Sequence, residues 1–513
     1  MIIFKYSFNH KLKQVVGVIY DKILVVEGPG IKLKTEGKNL GSVRTNHPKI
    51  SQLTLAAIIQ KEFPDTDVRI IDMKSANPSN ETKVRDIPYG SKTIEVFKTG
   101  QDFAEIEKEI KDADAMICTG NFSQEAGVLG DLIEFAKMVN SRIKVFIGGS
   151  DAGVAIGNVN RQAYFYSRKA DCVAPLGDGE IILPLLLRGS LMPKSLAGRI
   201  LPDFDDVLNP ALHLIDLSRS TEDHEGPLPD GVNPPLIYLE TSRGCRQCCD
   251  NCATPFTKGK YRFMSQKRIE GLLKFYKDAG IRTLVLVEDN VLSRLDIPGG
   301  RQAVIEWFTH MRSEGFAWEF SNGIELGKLV PEGKIDEELI KILFGFDGLS
   351  GCYRVNMPLE RVDIPAYRKL VPFETDKKLL ASILTHHVPM LTVGIIIGCP
   401  RETKDSLADT ERKLKEFTRL IGKQSAGKTQ VYTCVFLHTP IPGTNDYRRF
   451  HEEGRLAFDI DEYPELYNFY TSVVNGDEFA YHEITKLRRD MALELNGEKA
   501  MEVWEKRGKY GWK

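Results

Sequence analysis

Short apolar runs alternate with longer segments of helical periodicity in the first part of the chain. The apolar, β-branched runs predict four buried parallel strands, namely Ile23–Glu27, Val68–Asp72, Ala115–Cys118 and Lys144–Ile147. Apolar residues at three- and four-residue spacing predict the helices between them, over Ile50–Glu62, Phe103–Lys111 and Gln124–Val139. This alternation is typical of a doubly wound, Rossmann-like α/β domain, which we place at residues 1–195.

Four glycine-rich segments lie at the carboxyl ends of strands in this domain. They are Glu27–Gly30, Cys118–Asn121, Gly148–Ala152 and Gly177–Glu180. Glycine lets the backbone approach a bulky ligand closely, and the N-terminus of a following helix favours negative groups such as phosphate. Any one segment is also what a tight turn needs, but four at one edge of a sheet indicate a large ligand. None has the glycine fingerprint of nicotinamide-binding folds, so the sequence does not support a dehydrogenase.

A second series of strands and helices follows a proline-rich linker, which we place at residues 196–234. The predicted strands are Leu236–Glu240, Thr283–Glu288, Ala317–Ser321, Leu349–Val355, Leu391–Gly398 and Gln430–His438. The predicted helices are Ser265–Ala279, Arg301–Ser313, Asp336–Leu343, Thr375–Leu384 and Ser406–Leu420. A complete eightfold barrel needs more chain, so we expect a partial, six-stranded (β/α)6 TIM-like barrel at residues 235–447. Its active site should lie at the carboxyl ends of the strands, and residues 448–513 should form a C-terminal helical cap.

Charge and hydropathy narrow the range of partners. Among 513 residues, 69 Lys and Arg oppose 71 Asp and Glu, which gives a net charge of -2. This balance provides no positive field for a phosphate backbone, so nucleic acid is not an expected partner. No apolar run approaches the roughly 20 residues that cross a bilayer, and the first residues lack the pattern of a secretion signal. We therefore expect a cytoplasmic protein without a membrane span.

Four of the nine cysteines lie within eight residues, directly after the first predicted strand of the barrel. Cys245, Cys249 and Cys252 have the spacing Cys-x3-Cys-x2-Cys, and Cys248 is the fourth. Three thiolates on one loop can each bind one iron of a 4Fe-4S cluster and leave the fourth iron open to a substrate or cofactor. We expect such a cluster here, with Cys248 as the spare cysteine.

Two other roles for these cysteines stay open. A structural zinc ion could use all four, although zinc sites usually join two pairs separated by about 15 to 20 residues. A disulfide is the second alternative, although it is unusual in a cytosolic chain. With zinc bound, the protein would be a zinc-stabilised binding module with a degenerate catalytic domain.

The three cysteines, on the loop after the first strand of a six-unit barrel, resemble the signature of the radical S-adenosylmethionine superfamily. The resemblance implies that they bind the cluster and that S-adenosylmethionine binds beside it. Glu288-Asp289-Asn290 matches the family's acidic segment after the second strand, which implies an amine contact by Glu288, although the usual Gly-Gly-Glu is absent.

Further segments of the barrel agree with this family. Val393–Thr403 is similar to the adenine-binding motif of the fifth strand, which implies contacts by Gly394, Ile396 and Gly398. Pro440–Thr444, after the last strand, also resembles the family. The candidates for the ribose contact are Asn322 and Arg354.

The N-terminal domain is similar to the cobalamin-binding domain of the cobalamin-dependent radical S-adenosylmethionine class. The resemblance covers about residues 40 to 445 and rests on Gly148–Ala152 and, after Ala170-Asp171, on Gly177–Glu180. Asp-x-His-x-x-Gly, whose histidine binds cobalt in several other cobalamin enzymes, is absent, which fits cobalamin bound without a histidine ligand. The resemblance implies that cobalamin contacts Gly120, Asn121, Gly148, Gly149, Ser150, Gly177 and Gly179.

These resemblances imply an enzyme that uses a 4Fe-4S cluster, S-adenosylmethionine and cobalamin to methylate an unactivated carbon of a small-molecule or lipid substrate. An electron donor such as ferredoxin or flavodoxin would be its partner. The alternative for the same cofactors is a cyclisation or ring rearrangement without methyl transfer. A methylthiotransferase is disfavoured, because such enzymes carry a second cluster on N-terminal cysteines, and only Cys118 and Cys172 precede the motif.

Overall fold

The computed structural model of the protein describes residues 19–41, 50–157, 170–189, 197–221, 228–322, 324–360 and 372–507. The strands in these ranges are β1 (Lys22–Glu27), β2 (Gly30–Thr35), β3 (Lys38–Gly41), β4 (Asp67–Asp72), β5 (Glu81–Tyr89), β6 (Lys92–Thr99), β7 (Ala115–Thr119), β8 (Lys144–Gly148), β9 (Cys172–Val173), β10 (Leu236–Leu239), β11 (Ser242–Arg243), β12 (Arg262–Phe263), β13 (Thr283–Leu286), β14 (Ala317–Phe320), β15 (Gly351–Glu360), β16 (Met390–Ile397) and β17 (Gln430–Leu437). The helices are α1 (Ile50–Glu62), α2 (Met73–Ala76), α3 (Glu107–Lys111), α4 (Ala126–Val139), α5 (Ser150–Gly157), α6 (Gly179–Leu187), α7 (Thr254–Thr257), α8 (Gln266–Asp278), α9 (Gly300–Ser313), α10 (Glu337–Phe344), α11 (Phe373–Leu384), α12 (Lys404–Gln424), α13 (Asn445–Glu452), α14 (Tyr481–Asn496) and α15 (Glu498–Arg507). None of the helices in these ranges is both long and apolar enough to cross a membrane.

Five parallel strands form the N-terminal sheet, in the order β4-β1-β7-β8-β9. The apolar run of β1 sends its side chains alternately into two cores. Ile23 and Val25 pack on the side of α1 and α6, whereas Leu24 and Val26 pack on the side of α3 and α4. Burial on both faces is the reason why this strand is continuously apolar. The strand order creates a topological switch point between the carboxyl ends of β1 and β7, where such sheets usually bind ligands.

A four-stranded antiparallel sheet, in the order β3-β2-β6-β5, corrects the expectation of a purely doubly wound N-terminal domain. Its strands mix lysine, glutamate and threonine with few apolar residues, so no long apolar run predicts them. The segment Glu27–Gly30 leads into this sheet and not into a helix, and Gly30 is the first residue of β2. The expectation that Gly30 belongs to a ligand-binding loop is therefore wrong.

Six parallel strands form the second sheet, in the order β10-β13-β14-β15-β16-β17, as predicted. Helices α8 to α12 cover one face of this sheet in a core that includes Trp307, Phe308 and Phe344. Each strand lies beside the next strand in sequence, which is the arrangement of six consecutive units of an open TIM-like barrel. All six carboxyl ends therefore meet at one rim, which we call the mouth of the barrel.

The C-terminal region is only partly helical, which corrects the expectation of a helical cap. A mostly irregular segment, 453–480, separates α13 from α14 and packs against the antiparallel sheet. Helix α14 covers the free edge of β17. The Asn496 side chain accepts a hydrogen bond from Thr433 N and donates one to Thr433 O, both at 2.8 Å. Arg488 Nε donates to Val435 O at 2.7 Å, so side chains satisfy a strand edge that would otherwise be unpaired.

Candidate active site

The predicted cluster-binding cysteines lie on a closed loop at the mouth of the barrel. The chain leaves β10 and forms a two-stranded neck, in which Ser242 pairs with Phe263 and Arg243 pairs with Arg262. We call residues 244–261 the cysteine loop. Gly244 opens it with a φ of 89°, and a Cβ atom there would lie 2.9 Å from the carbonyl oxygen of Gly259. Glycine permits this close crossing of the two ends of the loop.

The four cysteines of this loop differ in exposure. Cys248 is exposed, whereas Cys245, Cys249 and Cys252 are half-buried. Burial raises the pKa of the Cys252 thiol, against the effect of hydrogen bonds with Thr254. Binding of a metal at this sulfur must therefore release a proton. The difference in exposure supports the expectation that Cys248 is the spare cysteine.

Three hydrogen-bond donors surround Cys245 Sγ. They are the Gln247 backbone N–H at 3.4 Å, Asn290 Nδ2 at 3.5 Å and Ser293 Oγ at 3.9 Å. Donors to cluster sulfurs influence the reduction potential of a bound cluster.

Glu288, the predicted amine contact, lies beneath the start of the cysteine loop and is 4% exposed. Its carboxylate accepts a hydrogen bond from Thr241 N at 2.9 Å and further bonds from the hydroxyls of Thr241 and Ser242. Burial raises its pKa to about 7, although these hydrogen bonds act in the opposite direction. Both carboxylate oxygens of Glu288 therefore hold the strand end from which the loop begins.

Asp289 and Asn290 continue this contact with the cysteine loop. Asp289 accepts hydrogen bonds from Gly244 N at 2.7 Å and from Thr254 Oγ1 at 3.2 Å, and so joins both ends of the cysteine motif. Asn290 Nδ2 also donates to Glu325 Oε2 at 2.8 Å. The motif that sequence reasoning assigned to a ligand thus also supports the cysteine loop.

The segment after β17 holds the opposite side of the cysteine loop. Asn445 Nδ2 donates to Asp250 Oδ1 at 2.9 Å, and the Asp446 N–H donates to the Asp250 carbonyl at 3.1 Å. An open cavity of about 560 Å³ lies between this segment, the loop and the end of β16. Such a volume is within the range of small-molecule sites. Its lining includes Cys249, Asn251, Cys399, Arg401, Arg449 and Arg455.

Gly394 and Ile396, two of the predicted adenine contacts, lie on the inner face of the barrel. The alternate residues of β16, Val393, Ile395 and Ile397, belong to the outer core, so Gly394 and Ile396 lie on the opposite face. A Cβ atom on Gly394 would lie 3.4 Å from Asn356 Oδ1. The absence of a side chain therefore leaves room beside this asparagine.

The other predicted nucleoside contacts have partners within the protein. Gly398 packs against Ile484 of α14, 3.2 Å from where its Cβ atom would lie. Asn322 Nδ2 donates to the Glu288 carbonyl at 3.2 Å. Arg354 is 2% exposed and forms an ion pair with Glu319 inside the barrel.

Two asparagines at the mouth of the barrel have a buried acceptor without a donor. Asn290 Oδ1 and Asn356 Oδ1 accept no hydrogen bond from the residues that the structure describes. Such an acceptor costs free energy unless a ligand or a water molecule donates to it. Both atoms are therefore open to a hydrogen-bond donor from a ligand or a water molecule. Sequence reasoning missed Asn356, although a polar residue within the apolar run of β15 was an available signal.

At the glycine-rich carboxyl edge of the N-terminal sheet, the loops at 120–121 and 148–150 are joined by hydrogen bonds. Gly120 O accepts hydrogen bonds of 3.0 and 3.1 Å from the first turn of α5, and Asn121 Oδ1 accepts one from Ser150 N at 3.2 Å. Gly149 has a φ of 113°, and a Cβ atom there would lie 2.6 Å from Gly120 O. The structure thus brings together five of the predicted cobalamin contacts, namely Gly120, Asn121, Gly148, Gly149 and Ser150.

Charged side chains fill the switch point beside this edge. Glu27 is 3% exposed and accepts hydrogen bonds from Thr119 Oγ1 at 2.7 Å, Gln52 Nε2 at 2.8 Å and Lys74 Nζ at 3.2 Å. Although burial disfavours the charge of Lys74, Glu125 and Glu27 raise its pKa. The crevice in which doubly wound sheets usually bind ligands is therefore occupied by the protein itself.

Gly177 and Gly179 follow the edge strand β9, at the start of α6. The acidic residues of this segment face the neck of the cysteine loop. Asp178 Oδ1 and Glu180 Oε1 each lie 2.9 Å from the guanidinium of Arg243. The fourth glycine-rich segment therefore contacts the barrel.

The donor set of the cysteine loop fits an iron–sulfur cluster better than a zinc ion. Among the described residues, no three His, Cys, Asp or Glu side chains are grouped as ligands of a single metal ion. Structural zinc draws four ligands to one atom, whereas in a 4Fe-4S cubane each cysteine binds a different iron. Three half-buried thiols and one exposed thiol match the second arrangement.

Comparison with known sequences shows similarity to methylthiotransferases, and no protein-family model matches the chain. The ribosomal protein uS12 methylthiotransferase RimO of Clostridioides difficile (strain 630) is 28% identical over 207 residues, which are 38% of this chain and 44% of the relative. RimO of Clostridium tetani (strain Massachusetts / E88) is 24% identical over 277 residues, 52% of this chain and 53% of the relative. The chain thus spans about half the length of these relatives or less.

Comparison with solved structures covers much more of the chain. The cobalamin-dependent S-adenosylmethionine radical enzyme OxsB matches 92% of this chain with 66% of its own, at a TM-score of 0.62 and 15% identity. The radical S-adenosylmethionine methyltransferase TsrM from Kitasatospora setae matches 85% of this chain with 78% of its own, at a TM-score of 0.54 and 14% identity. The resemblance predicted from the motifs is therefore confirmed in the fold, and the chain has the fold of the cobalamin-dependent radical S-adenosylmethionine enzymes.

Proposed function

We propose that the protein is a radical S-adenosylmethionine enzyme that uses a 4Fe-4S cluster and cobalamin to methylate an unactivated carbon of a small-molecule or lipid substrate. The observation that carries the proposal is the cysteine loop, which holds three half-buried cysteines at the carboxyl end of the first of six parallel strands. The fold shared with OxsB over 92% of the chain supports it. When bound, these cofactors supply hydrogen abstraction and a transferable methyl group.

The residues of the chain would hold the cofactors at the mouth of the barrel. Cys245, Cys249 and Cys252 would each bind one iron. Gly394 and Ile396 would lie against the adenine. The unused acceptors Asn290 Oδ1 and Asn356 Oδ1 would accept hydrogen bonds from hydroxyl or amino groups of S-adenosylmethionine.

Cobalamin would lie against the glycine-rich edge and not in the switch-point crevice. Gly148, Gly149 and Ser150 retain solvent exposure, whereas Glu27 and its partners fill the crevice. Glycines let a flat macrocycle approach the backbone. The fit therefore favours contacts with the loops at 120–121 and 148–150.

The similarity to RimO favours methylthiotransferase as a second candidate. The N-terminal cysteines argue against it. Cys118 is fully buried, and burial raises its pKa to about 12. Cys172 lies on β9, which β8 separates from the strand of Cys118. These two cysteines do not form the ligand set of a second cluster.

Metal analysis tests the proposal. The protein would be purified without oxygen, reconstituted with iron, sulfide and hydroxocobalamin, and analysed for iron, zinc and cobalt per chain. We expect about four irons and one cobalt. Iron without cobalt would remove the methyl carrier from the proposal. Zinc without iron would instead support a zinc-stabilised binding module.

Product analysis separates methyl transfer from the alternative radical reactions. S-adenosylhomocysteine and 5'-deoxyadenosine together are expected for a methyltransferase. 5'-Deoxyadenosine without S-adenosylhomocysteine would favour a cyclisation or ring rearrangement.

For either reaction we propose ferredoxin or flavodoxin as the electron donor. We also propose the domain division 1–195, 196–234, 235–447 and 448–513.

A further inference from the structure

Five charged side chains form a network between the N-terminal domain and the neck of the cysteine loop. Arg243 and Arg262 lie opposite each other on β11 and β12, and Glu240 follows β10. Asp178 and Glu180 lie at the start of α6 in the N-terminal domain. We call these five residues the arginine clamp. Its side chains are only 4 to 18% exposed.

Arg243 uses all five of its N–H donors within the arginine clamp. It forms two hydrogen bonds with Glu240, at 2.8 and 3.0 Å, and two with Glu180, at 2.9 and 3.2 Å. Its fifth hydrogen bond goes to Asp178 Oδ1 at 2.9 Å. A guanidinium with every donor used has one orientation, so its position is fixed by both domains.

Arg262 completes the contact from the other strand of the neck. It forms an ion pair with Asp178 and donates to the Lys258 carbonyl at 2.9 Å, within the cysteine loop. Asp178 Oδ2 also accepts a hydrogen bond from Leu201 N at 2.7 Å. The ring of Phe204 lies 5.1 Å from the Arg243 guanidinium and 5.9 Å from that of Arg262. Arg243 and Arg262 of the neck therefore both pair with the carboxylate of Asp178 in the N-terminal domain.

The free-energy cost of burying these charges indicates that the arginine clamp fixes the position of the groups that it joins. Burial alone would raise the pKa of Asp178, but Arg262 and Arg243 hold it below its usual value. Replacing a buried ion network by apolar residues is often neutral or stabilising, whereas removal of one partner leaves an uncompensated charge. Such a network is therefore better suited to fixing geometry than to adding stability.

We propose that the arginine clamp positions the cysteine loop for cluster binding, so that Asp178 and Glu180 of the N-terminal domain are positioning residues of the iron–sulfur site. The Asp178 and Glu180 side chains of the segment Gly177–Glu180 then serve the cluster site. The inference rests on the proposed function for the identity of the cluster. The inference that Asp178 orders the cysteine loop does not depend on the identity of the cluster.

Alkylation of the metal-free protein tests the ordering of the loop. Rates of iodoacetamide labelling would be measured for each cysteine by mass spectrometry in the full chain and in Asp178→Asn. We expect Cys249 and Cys252 to react at least about fivefold faster in Asp178→Asn, because a loosened neck opens the loop more often. Exposed Cys248 is the internal reference. Equal rates for Cys249 and Cys252 in both proteins would overturn the proposal.

Asp171→Asn is the matched control. Asp171 also lies in the N-terminal domain and pairs with two cations, Lys137 and Lys144, but it does not contact the neck of the loop. We expect Asp171→Asn to label like the parent. A similar increase in both variants would show a general loss of stability and would overturn the positional role.

The reconstituted protein tests the effect on the cluster. We expect Asp178→Asn to lose iron to a chelator at least about fivefold faster and to change the electron paramagnetic resonance signal of the reduced cluster. Arg262→Gln should have the same effect, the double variant should add little to it, and Arg262→Lys should recover part of it. An unchanged signal and release rate in Asp178→Asn would overturn the effect on the cluster. A parent chain that binds no iron would refute the proposed function, whereas the alkylation result would still decide the ordering role.

Discussion

A buried carboxylate with a raised pKa lies beneath the cysteine loop. Burial raises the pKa of Glu288 from 4.5 to about 7. Because the folded-state pKa lies above the unfolded-state value, folding favours the protonated form. The contribution of this group to the free energy of unfolding is therefore complete below pH 4.5 and is lost as the pH rises towards 7.

Glu288→Gln should remove this pH dependence. Glutamine is neutral at all these pH values and can still accept from Thr241 and donate to Ser242. We expect the free energy of unfolding of the parent, relative to the variant, to fall by about 2 to 3 kcal/mol between pH 5 and pH 8. Urea unfolding of both proteins across this range measures the difference. A difference that stays constant with pH would contradict the raised pKa.

Adjacent cysteines offer a second test at the scale of single residues. Cys249 is half-buried and Cys248 is exposed. We expect Cys249→Ala to lose at least about half of the reconstituted iron, because a cluster ligand is removed, and Cys248→Ala to retain it. Iron analysis and the visible absorption of the cluster measure the effect. Equal losses in the two variants would favour a site that uses all four cysteines.

At the scale of elements, the free edge of β17 is the feature that the C-terminal region covers. Asn496 provides one acceptor and one donor to the backbone of Thr433, as a neighbouring strand would. Asn496 is 3% exposed, so water cannot replace these bonds without rearrangement. The edge of the open barrel is thereby protected from pairing with another chain.

Asn496→Ala should destabilise the protein. Two buried backbone groups of Thr433 lose their partners, at about 1 to 3 kcal/mol for each group, so we expect a loss of about 2 to 6 kcal/mol. The midpoint of urea unfolding measures it. Asn233→Ala is the control, because the only hydrogen bond that the Asn233 side chain forms with the described residues is an exposed one to Gly231 O. A loss no larger than that of the control would show that the edge is satisfied in another way.

The helices and strands also show which structural elements can be predicted from patterns in the sequence. Helix α1 begins and ends at the predicted residues, Ile50 and Glu62, and all six strands of the barrel sheet are present. Apolar periodicity predicts these elements because one or both of their faces are buried. The antiparallel sheet has one polar face, and most of its apolar partners lie in the C-terminal region, more than 300 residues away in sequence. A pattern within a few neighbouring residues cannot predict packing between segments that lie so far apart in sequence.

At the scale of the whole molecule, two edges define the proposed cofactor sites. The mouth of the barrel contains the cysteine loop and the unused asparagine acceptors. The carboxyl edge of the N-terminal sheet contains the loops at 120–121 and 148–150. The proposed methyl transfer requires both sites to be loaded in one chain.

Gly148→Ala tests whether cobalamin binds at the loops 120–121 and 148–150, and we expect this substitution to leave the fold intact. A Cβ atom at Gly148 would lie 3.8 Å from Ala174 Cβ, an ordinary contact, and its φ is not positive. The added methyl group would occupy space at the edge, so we expect at least about a fivefold loss of cobalamin affinity with an unchanged unfolding temperature. Cobalt content and the absorption spectrum of bound cobalamin measure the effect.

Gly271→Ala provides the matched control for this variant. Gly271 lies on α8, and a Cβ atom there would meet no atom within 4 Å. We expect it to bind cobalamin like the parent. Full retention of cobalamin by Gly148→Ala would place the cofactor elsewhere in the molecule.

The sequence by itself determined the α/β class, the six strands of the barrel and the cysteine motif. Apolar periodicity and cysteine spacing are local properties, which neighbouring residues encode. Only the tertiary structure decided which contacts the residues of the other motifs make. Glu288 supports the cysteine loop, Asp178 reaches Arg243 across 65 positions in sequence, and Glu27 fills the switch point. These roles depend on which side chains meet after folding, because a buried charge takes the partner that lies within hydrogen-bonding distance and not the nearest one in sequence.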